Sequence, residues 1–529
     1  MCRYKITLVE PHRVKSIWKR GSDVAIIGTV RQHTPLHTQP IVAAKLCEAL
    51  GDDYEIAIVD SRLIEPETEE CYKTVPYGEG ILEHYRVGLG LESERFRDIA
   101  RHTDILGITV NFTQEAAVAV AIGQRAKELN HRVKLIYAGS DVRARASYYL
   151  TTGQGDAVIL GDGEYCGAAL IRALLGKEPL NGIPSIAYIE DGNIYQSPTR
   201  ATVPMEDVPL PAFNLVAQDI PRWIESHEGD LPKGVFPPLA YVETSRGCHE
   251  TCGFCYSAGL SYRTMKTEQV TQYAAHLKKW GFRTLMMMAD NELTPLLMRK
   301  VPGTDISGRE LIIKRYRVFR EYGFCWEFSN GLQYSMFYQG GVFDEELIEE
   351  MFSNCFRLFT PIEDPLGLVY DKLRGTPAER RKLSDRTNEQ IFNDHHLNTL
   401  TRIAATGLKM MTFGLIIGWP GDTAERVRQV GERCKILRDA IKEANPNCQT
   451  LFTPFIGIPI PGTRNWFDYQ KRGAIKEDVE AHPEAWQFAL TTYGNFEMVD
   501  ERLKLIAELN GEEAFREWTS TGAYPHQIA

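Results

Sequence analysis

Short apolar runs alternate with stretches of helical periodicity through residues 1–200. "KITLVEP" (5–11), "YEIAIVD" (54–60), "DILGITVN" (104–111), "KLIYAGSD" (134–141) and "DAVILGDGE" (156–164) read as strands. "TQPIVAAKLCEALG" (38–51) and "TQEAAVAVAIGQRAKELN" (113–130) read as helices. Strand–helix alternation of this kind predicts a doubly wound parallel sheet. Ligands of such sheets sit at the carboxyl ends of the strands. Those ends are rich in small residues here: Gly139, Ser140, Gly161 and Gly163. Taken alone, they are explained by tight turns. "TVPMEDVPLPAFNL" (202–215) holds three prolines and resists both helix and sheet, as a linker does.

From residue 236 the alternation resumes. Strand-like "LAYVETSRG", "TLMMMADNE", "CWEFSNG", "FRLFTPIED" and "MMTFGLIIGWPGD" are separated by helical segments at 266–280, 308–322, 344–353 and 386–406. Repeated βα units predict a full or partial barrel, with chemistry on the loops after the strands. Beyond residue 450 come a Pro-rich stretch, "FIGIPIPGTRNW", and mixed helical segments. Trp466, Trp486, Tyr493 and Phe496 there read first as core and second as pocket lining. The expected architecture is α/β in three parts. Residues 1–215 form a Rossmann-like doubly wound domain with its linker, 216–450 a βα barrel, and 451–529 a small, mostly helical domain.

Composition narrows the function classes. A chain of 529 residues exceeds one ordinary core. A net charge of −10 leaves no excess of Lys or Arg to neutralise phosphates, so neither nucleic acid nor an anionic membrane is an expected partner. No apolar run reaches the ~18 residues of a membrane span. The N-terminus reads as a strand rather than as a signal peptide. Eleven cysteines, dispersed apart from one cluster, imply reduced thiols and a cytoplasmic location.

That cluster is "SRGCHETCGFCY", with Cys248, Cys252 and Cys255 in a loop directly after the strand "LAYVET". Structural zinc takes four ligands, usually as two close pairs, and no second pair exists. An iron–sulfur cluster also takes thiolates, normally four. Three leave one iron open to a substrate or cofactor. A zinc knuckle and incidental cysteines are the plainer alternatives.

The spacing CxxxCxxC after the first strand of a βα barrel resembles the radical S-adenosylmethionine (SAM) superfamily. The flanking "SRGC…CGFCY", with Phe254 before the third Cys, fits its usual form. The resemblance implies a 4Fe-4S cluster on Cys248, Cys252 and Cys255, with SAM chelated at the open iron. Reduction of that cluster would cleave SAM to a 5′-deoxyadenosyl radical. It also implies SAM contacts at Phe254, at Asp290 in "MADNE", at Glu363 in "PIEDP", and at Gly418 in "GLIIGWPGDT". The family's usual Gly-Gly-Glu is absent around Asp290. Solvated loop acids are the alternative for Asp290 and Glu363.

The N-terminal region, the Pro-rich link and the barrel together resemble the cobalamin-binding, class B methyltransferase-like branch, over roughly residues 1–450. "AGSD" stands where the branch has Gly-Gly-x-His, and "LGDGE" resembles its Gly-Glu-Gly-Glu. The resemblance thus implies cobalamin contacts at Gly139, Ser140, Asp141, Gly161, Gly163 and Glu164. The cobalamin tail is expected between the strands ending at Gly139 and Leu160. Asp-x-His-x-x-Gly, a source of a cobalt-ligating histidine elsewhere, is absent; Asp394-His395-His396 lacks the Gly. The stretch 12–38, with His12, Arg13, Arg31, His33 and His37, is expected to be a loop near the corrin.

The implied function is methyl transfer from SAM, through methylcobalamin, to a carbon of a small-molecule or natural-product substrate. Flavodoxin or ferredoxin is the expected electron donor. Rearrangement or cyclisation with the same cofactors is the first alternative. A methylthiotransferase is the second, although Cys2, Cys47, Cys71 and Cys166 are too scattered for a further cluster. A non-enzymatic cobalamin or redox sensor is the third.

Overall fold

The computed structural model describes residues 3–21, 23–28, 35–63, 67–77, 80–198, 201–226, 235, 237–339, 341–362, 366, 387–418, 422–457, 459–473, 475 and 496–511. The chain divides into two compact units, Met1–Ser226 with Pro459–Leu490 and His227–Ile458 with Thr491–Ala529.

In the first unit the apolar runs are parallel strands: β1 (Tyr4–Glu10), β2 (Tyr54–Asp60), β3 (Ile105–Thr109), β4 (Lys134–Ala138) and β5 (Ala157–Ile159). An antiparallel hairpin, β6 (Ile186–Glu190) and β7 (Asn193–Gln196), completes the sheet. Its order is β7-β6-β5-β4-β3-β1-β2. The parallel part therefore runs 2-1-3-4-5, a doubly wound order with its switch point between β1 and β3. Ile6, Leu106, Leu135 and Val158 are buried in the middle of these strands. Strands covered on both faces read as unbroken apolar runs, which is why the sequence reveals them.

The stretch 12–38 is not the loop expected of it. Arg13–Arg20 and Asp23–Gly28 are antiparallel strands, and they join Gly80–Leu89 and Glu67–Tyr77 in a four-stranded sheet. One face carries cross-strand ion pairs, Arg13–Glu67 at 2.5 Å and Lys15–Glu69 at 2.8 Å. The other face buries Val14 and Leu82 alongside Ser16 and His84, and Ser16 Oγ lies 2.8 Å from His84 Nδ1. Alternation between apolar and polar positions is blurred when half of the buried positions are polar. His12 precedes this sheet and is itself buried, with Nε2 against the Leu89 carbonyl. His37 occupies the N-cap position of the helix Thr38–Leu50 without a side-chain capping bond, and Arg31 and His33 lie outside the described residues.

The second unit is built on six parallel strands in chain order: β8 (Leu239–Val242), β9 (Thr284–Met287), β10 (Cys325–Phe328), β11 (Cys355–Ile362), β12 (Met410–Ile417) and β13 (Gln449–Ile456). Helices Thr267–Lys279, Gly308–Glu321, Glu345–Phe352 and Ala424–Ala444 connect them. This is a partial βα barrel; among the described residues β13 and β8 do not pair. On the helical side Tyr316 packs against Trp326 and Phe328, with ring centroids 5.2 and 5.7 Å away. The helical segment expected at 386–406 contains a π-helical turn at Phe392–Leu397.

Strand β13 falls at the boundary where the sequence predicts an irregular remainder. It contains Pro454, which cannot donate to a ladder but is tolerated at a sheet edge. The edge is covered by the helix Phe496–Asn510, whose Asn510 side chain accepts from the Phe452 N–H and donates to its carbonyl, both at 2.8 Å. No helix among the described residues is long and apolar enough to cross a membrane.

Candidate active site

The cysteine loop leaves the carboxyl end of β8, where a parallel βα unit carries its chemistry. Its two ends are fastened together by the ladder of Ser245 with Thr264 and Arg246 with Arg263. Met265 N–H bonds the Thr244 carbonyl at 2.9 Å. Gly247 turns the chain into the loop at φ +83°, and a Cβ there would collide with the Ser261 carbonyl. Inside the loop, Cys255 N–H reaches the Cys252 carbonyl at 3.3 Å and Gly259 N–H the Glu250 carbonyl at 3.1 Å. All three cysteines and the half-buried Phe254 thus ride on one closed excursion.

Among the described residues, no group of three or more His, Cys, Asp or Glu side chains is arranged to hold a single metal ion. A four-iron cluster asks for something else, one thiolate per iron, so its sulfurs stand further apart than the ligands of one ion. Three thiols on one loop fit that donor set. Burial pushes the Cys248 thiol up to about 11, with Asp290 and Glu250 adding to the rise. The thiolate therefore forms when metal displaces the proton.

The loop after β9 supports this excursion from the neighbouring strand. Asp290 Oδ2 accepts from Gly247 N–H at 2.7 Å, and Oδ1 accepts from Ser257 Oγ. Glu292, two residues on, is buried and accepts from Thr244 Oγ1 at 3.1 Å. It is paired at 2.7 Å with Arg315, which no solvent reaches and which also donates to Thr264 Oγ1 at 2.6 Å. Gly418, just past β12, has φ +78° and gives its N–H to Asp422 at 2.7 Å. Glu363 immediately follows β11 and lies outside the described residues. The structure thus brings Asp290 to the cysteine loop and sets Gly418 at the same carboxyl edge, on a strand further along the sheet.

In the first unit, Gly139, Ser140 and Asp141 follow β4, and Gly161, Gly163 and Glu164 follow the adjacent β5. They share the carboxyl edge but have different surroundings. Gly139 has φ +121°, and a Cβ there would collide with the Val110 carbonyl. An added Cβ at Gly161 would lie 2.7 Å from the Ala201 carbonyl and 2.8 Å from Ser185 Oγ. Both glycines therefore serve the chain's own packing. At Gly163 the nearest atom would be Val42 Cγ2 at 3.5 Å, an ordinary contact. Asp141 is fully buried and occupied: Arg145 Nη2, Tyr149 OH and Thr113 Oγ1 each donate to it at 2.5 Å. Glu164 is buried at the start of the helix Gly163–Leu174. Two aromatic rings stand out along the same edge, Phe112 at 57% and Tyr165 at 53% exposed.

These contrasts separate two glycines that look alike in sequence. Gly139→Ala is expected to destabilise the chain by about 2 kcal/mol or more, through left-handed strain and collision. Gly163→Ala, at the first position of a helix, is expected to be neutral or stabilising by up to ~1 kcal/mol. Urea unfolding of both variants checks this.

Sequence reasoning missed a charged group at the switch point. Glu10 ends β1, Asp60 ends β2, and Glu115 follows β3. Arg62 binds Asp60 through Nε at 2.8 Å and Nη2 at 2.7 Å, and Gln39 donates to Glu10 at 2.5 Å. Burial, then the Glu10 charge, pushes Glu115 up to about 8, although an edge of it still meets solvent. The available signal was a carboxylate closing each of two apolar runs, "LVE" and "IVD".

Comparison with known proteins decides what the cysteine loop belongs to. Residues 242–434 match the radical SAM superfamily. The chain carries a radical SAM domain. It is 25% identical over 387 residues to an uncharacterized methyltransferase of Pyrococcus horikoshii, covering 71% of this chain and 72% of that one. It is 23% identical over 203 residues to a hopanoid C-3 methylase of Methylococcus capsulatus, covering 36% and 37%. Among solved structures, the cobalamin-dependent SAM radical enzyme OxsB, with aqua-cobalamin bound, aligns over 98% of this chain and 71% of its own. That alignment has TM-score 0.61 and 14% identity. The radical SAM methyltransferase TsrM of Kitasatospora setae, with tryptophan and a SAM analogue, aligns over 95% and 89%, with TM-score 0.60 and 14% identity. The fold, α/β with a doubly wound unit and a radical SAM unit, is thus shared over nearly the whole chain.

Proposed function

We propose that the chain is a cobalamin-dependent radical SAM methyltransferase acting on a carbon of a small molecule. The observation that carries this reading is the three-thiol loop at the end of β8, in a chain that aligns with OxsB over 98% and with TsrM over 95% of its length. When bound, the cluster would supply an electron to SAM and cobalamin would carry the methyl group. Cys248, Cys252 and Cys255 would hold the cluster, and Glu363 and Gly418 would meet SAM at the strand ends. The carboxyl edge of the first sheet suits a large flat macrocycle, because Ser140 and Gly163 add little bulk there while Phe112 and Tyr165 offer ring faces. Asp141 would act as a brace under that edge, since Arg145, Tyr149 and Thr113 take up its oxygens. His12 is buried with Nε2 against the Leu89 carbonyl, which counts against a role as cobalt ligand. The named relatives methylate or bind small molecules, a hopanoid and tryptophan among them, which favours a small-molecule substrate. A flavodoxin or ferredoxin would supply the electrons.

The test is anaerobic purification from cells supplied with cobalamin, followed by iron–sulfur reconstitution. The expected result is about one corrin per chain by absorbance, and a cob(II)alamin resonance spectrum without axial nitrogen splitting. A chain that takes up a full cluster but no corrin overturns the cobalamin half of the reading. Nitrogen splitting would mean an axial nitrogen, from a histidine or from cobalamin's own dimethylbenzimidazole, and would overturn the expectation of a cobalt without a nitrogen ligand.

A further inference from the structure

We propose that Asp290 is the clamp of the cysteine loop, a positioning residue that sets both the loop's hold on iron and the reduction potential of the cluster. The proposal rests on the radical SAM reading and assigns Asp290 a role other than SAM contact. Its geometry is two-handed. Oδ2 takes the N–H of Gly247, the residue before Cys248, at 2.7 Å. Oδ1 takes the hydroxyl of Ser257, two residues past Cys255. One carboxylate on β9's loop therefore grips both ends of the segment that holds all three thiols. The left-handed turn at Gly247 sets where that N–H points, and it points at Asp290. Asp290 is half-buried and bonded to the residue next to Cys248, so its charge stands beside the segment that would carry the cluster. A fixed negative charge beside a cluster opposes the added electron and lowers its potential, since net charge and hydrogen bonding tune such centres. Both carboxylate oxygens are engaged by the loop, and the Gly-Gly-Glu pattern is missing at 288–292.

Asp290→Asn keeps the shape and one acceptor but drops the charge. Ser257→Ala keeps the charge but releases one end of the loop. Both are made in the full chain, reconstituted anaerobically without SAM. Iron release to bathophenanthroline disulfonate and the midpoint of a resonance-monitored redox titration are measured. The expected result is several-fold faster iron release from both variants, and a positive shift of the midpoint in Asp290→Asn well beyond that in Ser257→Ala. If Asp290→Asn takes up no iron while its circular dichroism and melting match the parent, the clamp is supported. If that variant does not fold, Ser257→Ala carries the test, and a parental release rate overturns the proposal. Parental release and potential in Asp290→Asn, with SAM binding weakened, would overturn it in favour of an amino-group contact. Failure of the radical SAM reading looks different: the parent chain itself would hold no cluster.

Discussion

A chain with Cys248, Cys252 and Cys255 all replaced by Ala is expected to hold no iron, against about four atoms in the reconstituted parent, and to leave SAM intact. The loss should be complete rather than graded. Each thiolate would hold its own iron, and among the described residues no other cysteine lies on that loop. Cys325 and Cys355 belong to β10 and β11, and Cys434 is buried in the helix Ala424–Ala444. Folding should survive, because the loop is fastened below the cysteines by the 245–264 and 246–263 ladder rather than by the thiols. The measurement is iron and sulfide per chain, together with 5′-deoxyadenosine formed under dithionite. A full cluster in the triple variant would sink the assignment. Zinc in the parent in place of iron would return the loop to a knuckle.

What the sequence could reveal follows from how each element is buried. β1 to β5 are covered on both faces, so apolar character alone marks them, and the strands 5–11, 54–60, 104–111, 134–141 and 156–164 all appear near their predicted places. The antiparallel sheet over 13–89 was silent because its inward side contains Ser16 and His84, hydrogen-bonded to each other instead of packed as apolar groups. β13 was silent because Pro454 reads as a break, and only its edge position makes that proline harmless. The cysteine spacing announced the site at once, since cluster chemistry needs those thiols close in sequence. Its supports did not announce themselves. Asp290 looks like any loop acid until the fold sets it against Gly247 and Ser257. Sheet order was equally hidden. Only pairing shows that the switch point lies between β1 and β3, with Glu10, Arg62 and Glu115 around it.

Arg315→Met is the second large effect, expected to destabilise the radical SAM unit by about 3–5 kcal/mol, because it strands Glu292 as an uncompensated buried charge. Arg315 was detectable in principle. In "GRELIIKRYRVFRE" it shares the buried stripe of Leu311, Ile312, Tyr316 and Phe319, whereas Arg317 and Arg320 face Glu350 on the next helix. An arginine on an apolar stripe must have a partner inside. That partner is Glu292 at 2.7 Å, and the pair reaches outward to Thr264 and Thr244, one on each side of the cysteine loop's base. Two consequences can therefore be separated. Arg315→Met with Glu292→Leu removes both charges, and a buried ion pair replaced by apolar groups of similar size is often near neutral. The double variant should regain most of the lost stability in urea unfolding. It should not regain the anchors on Thr244 and Thr264, so its cluster should still be lost to chelator faster than the parent's. If the double variant stays as unstable as Arg315→Met, the cost lies in packing around residue 315 rather than in a stranded carboxylate. If it recovers both stability and iron retention, the ion pair serves the core alone and the loop is held by its ladder and by Asp290.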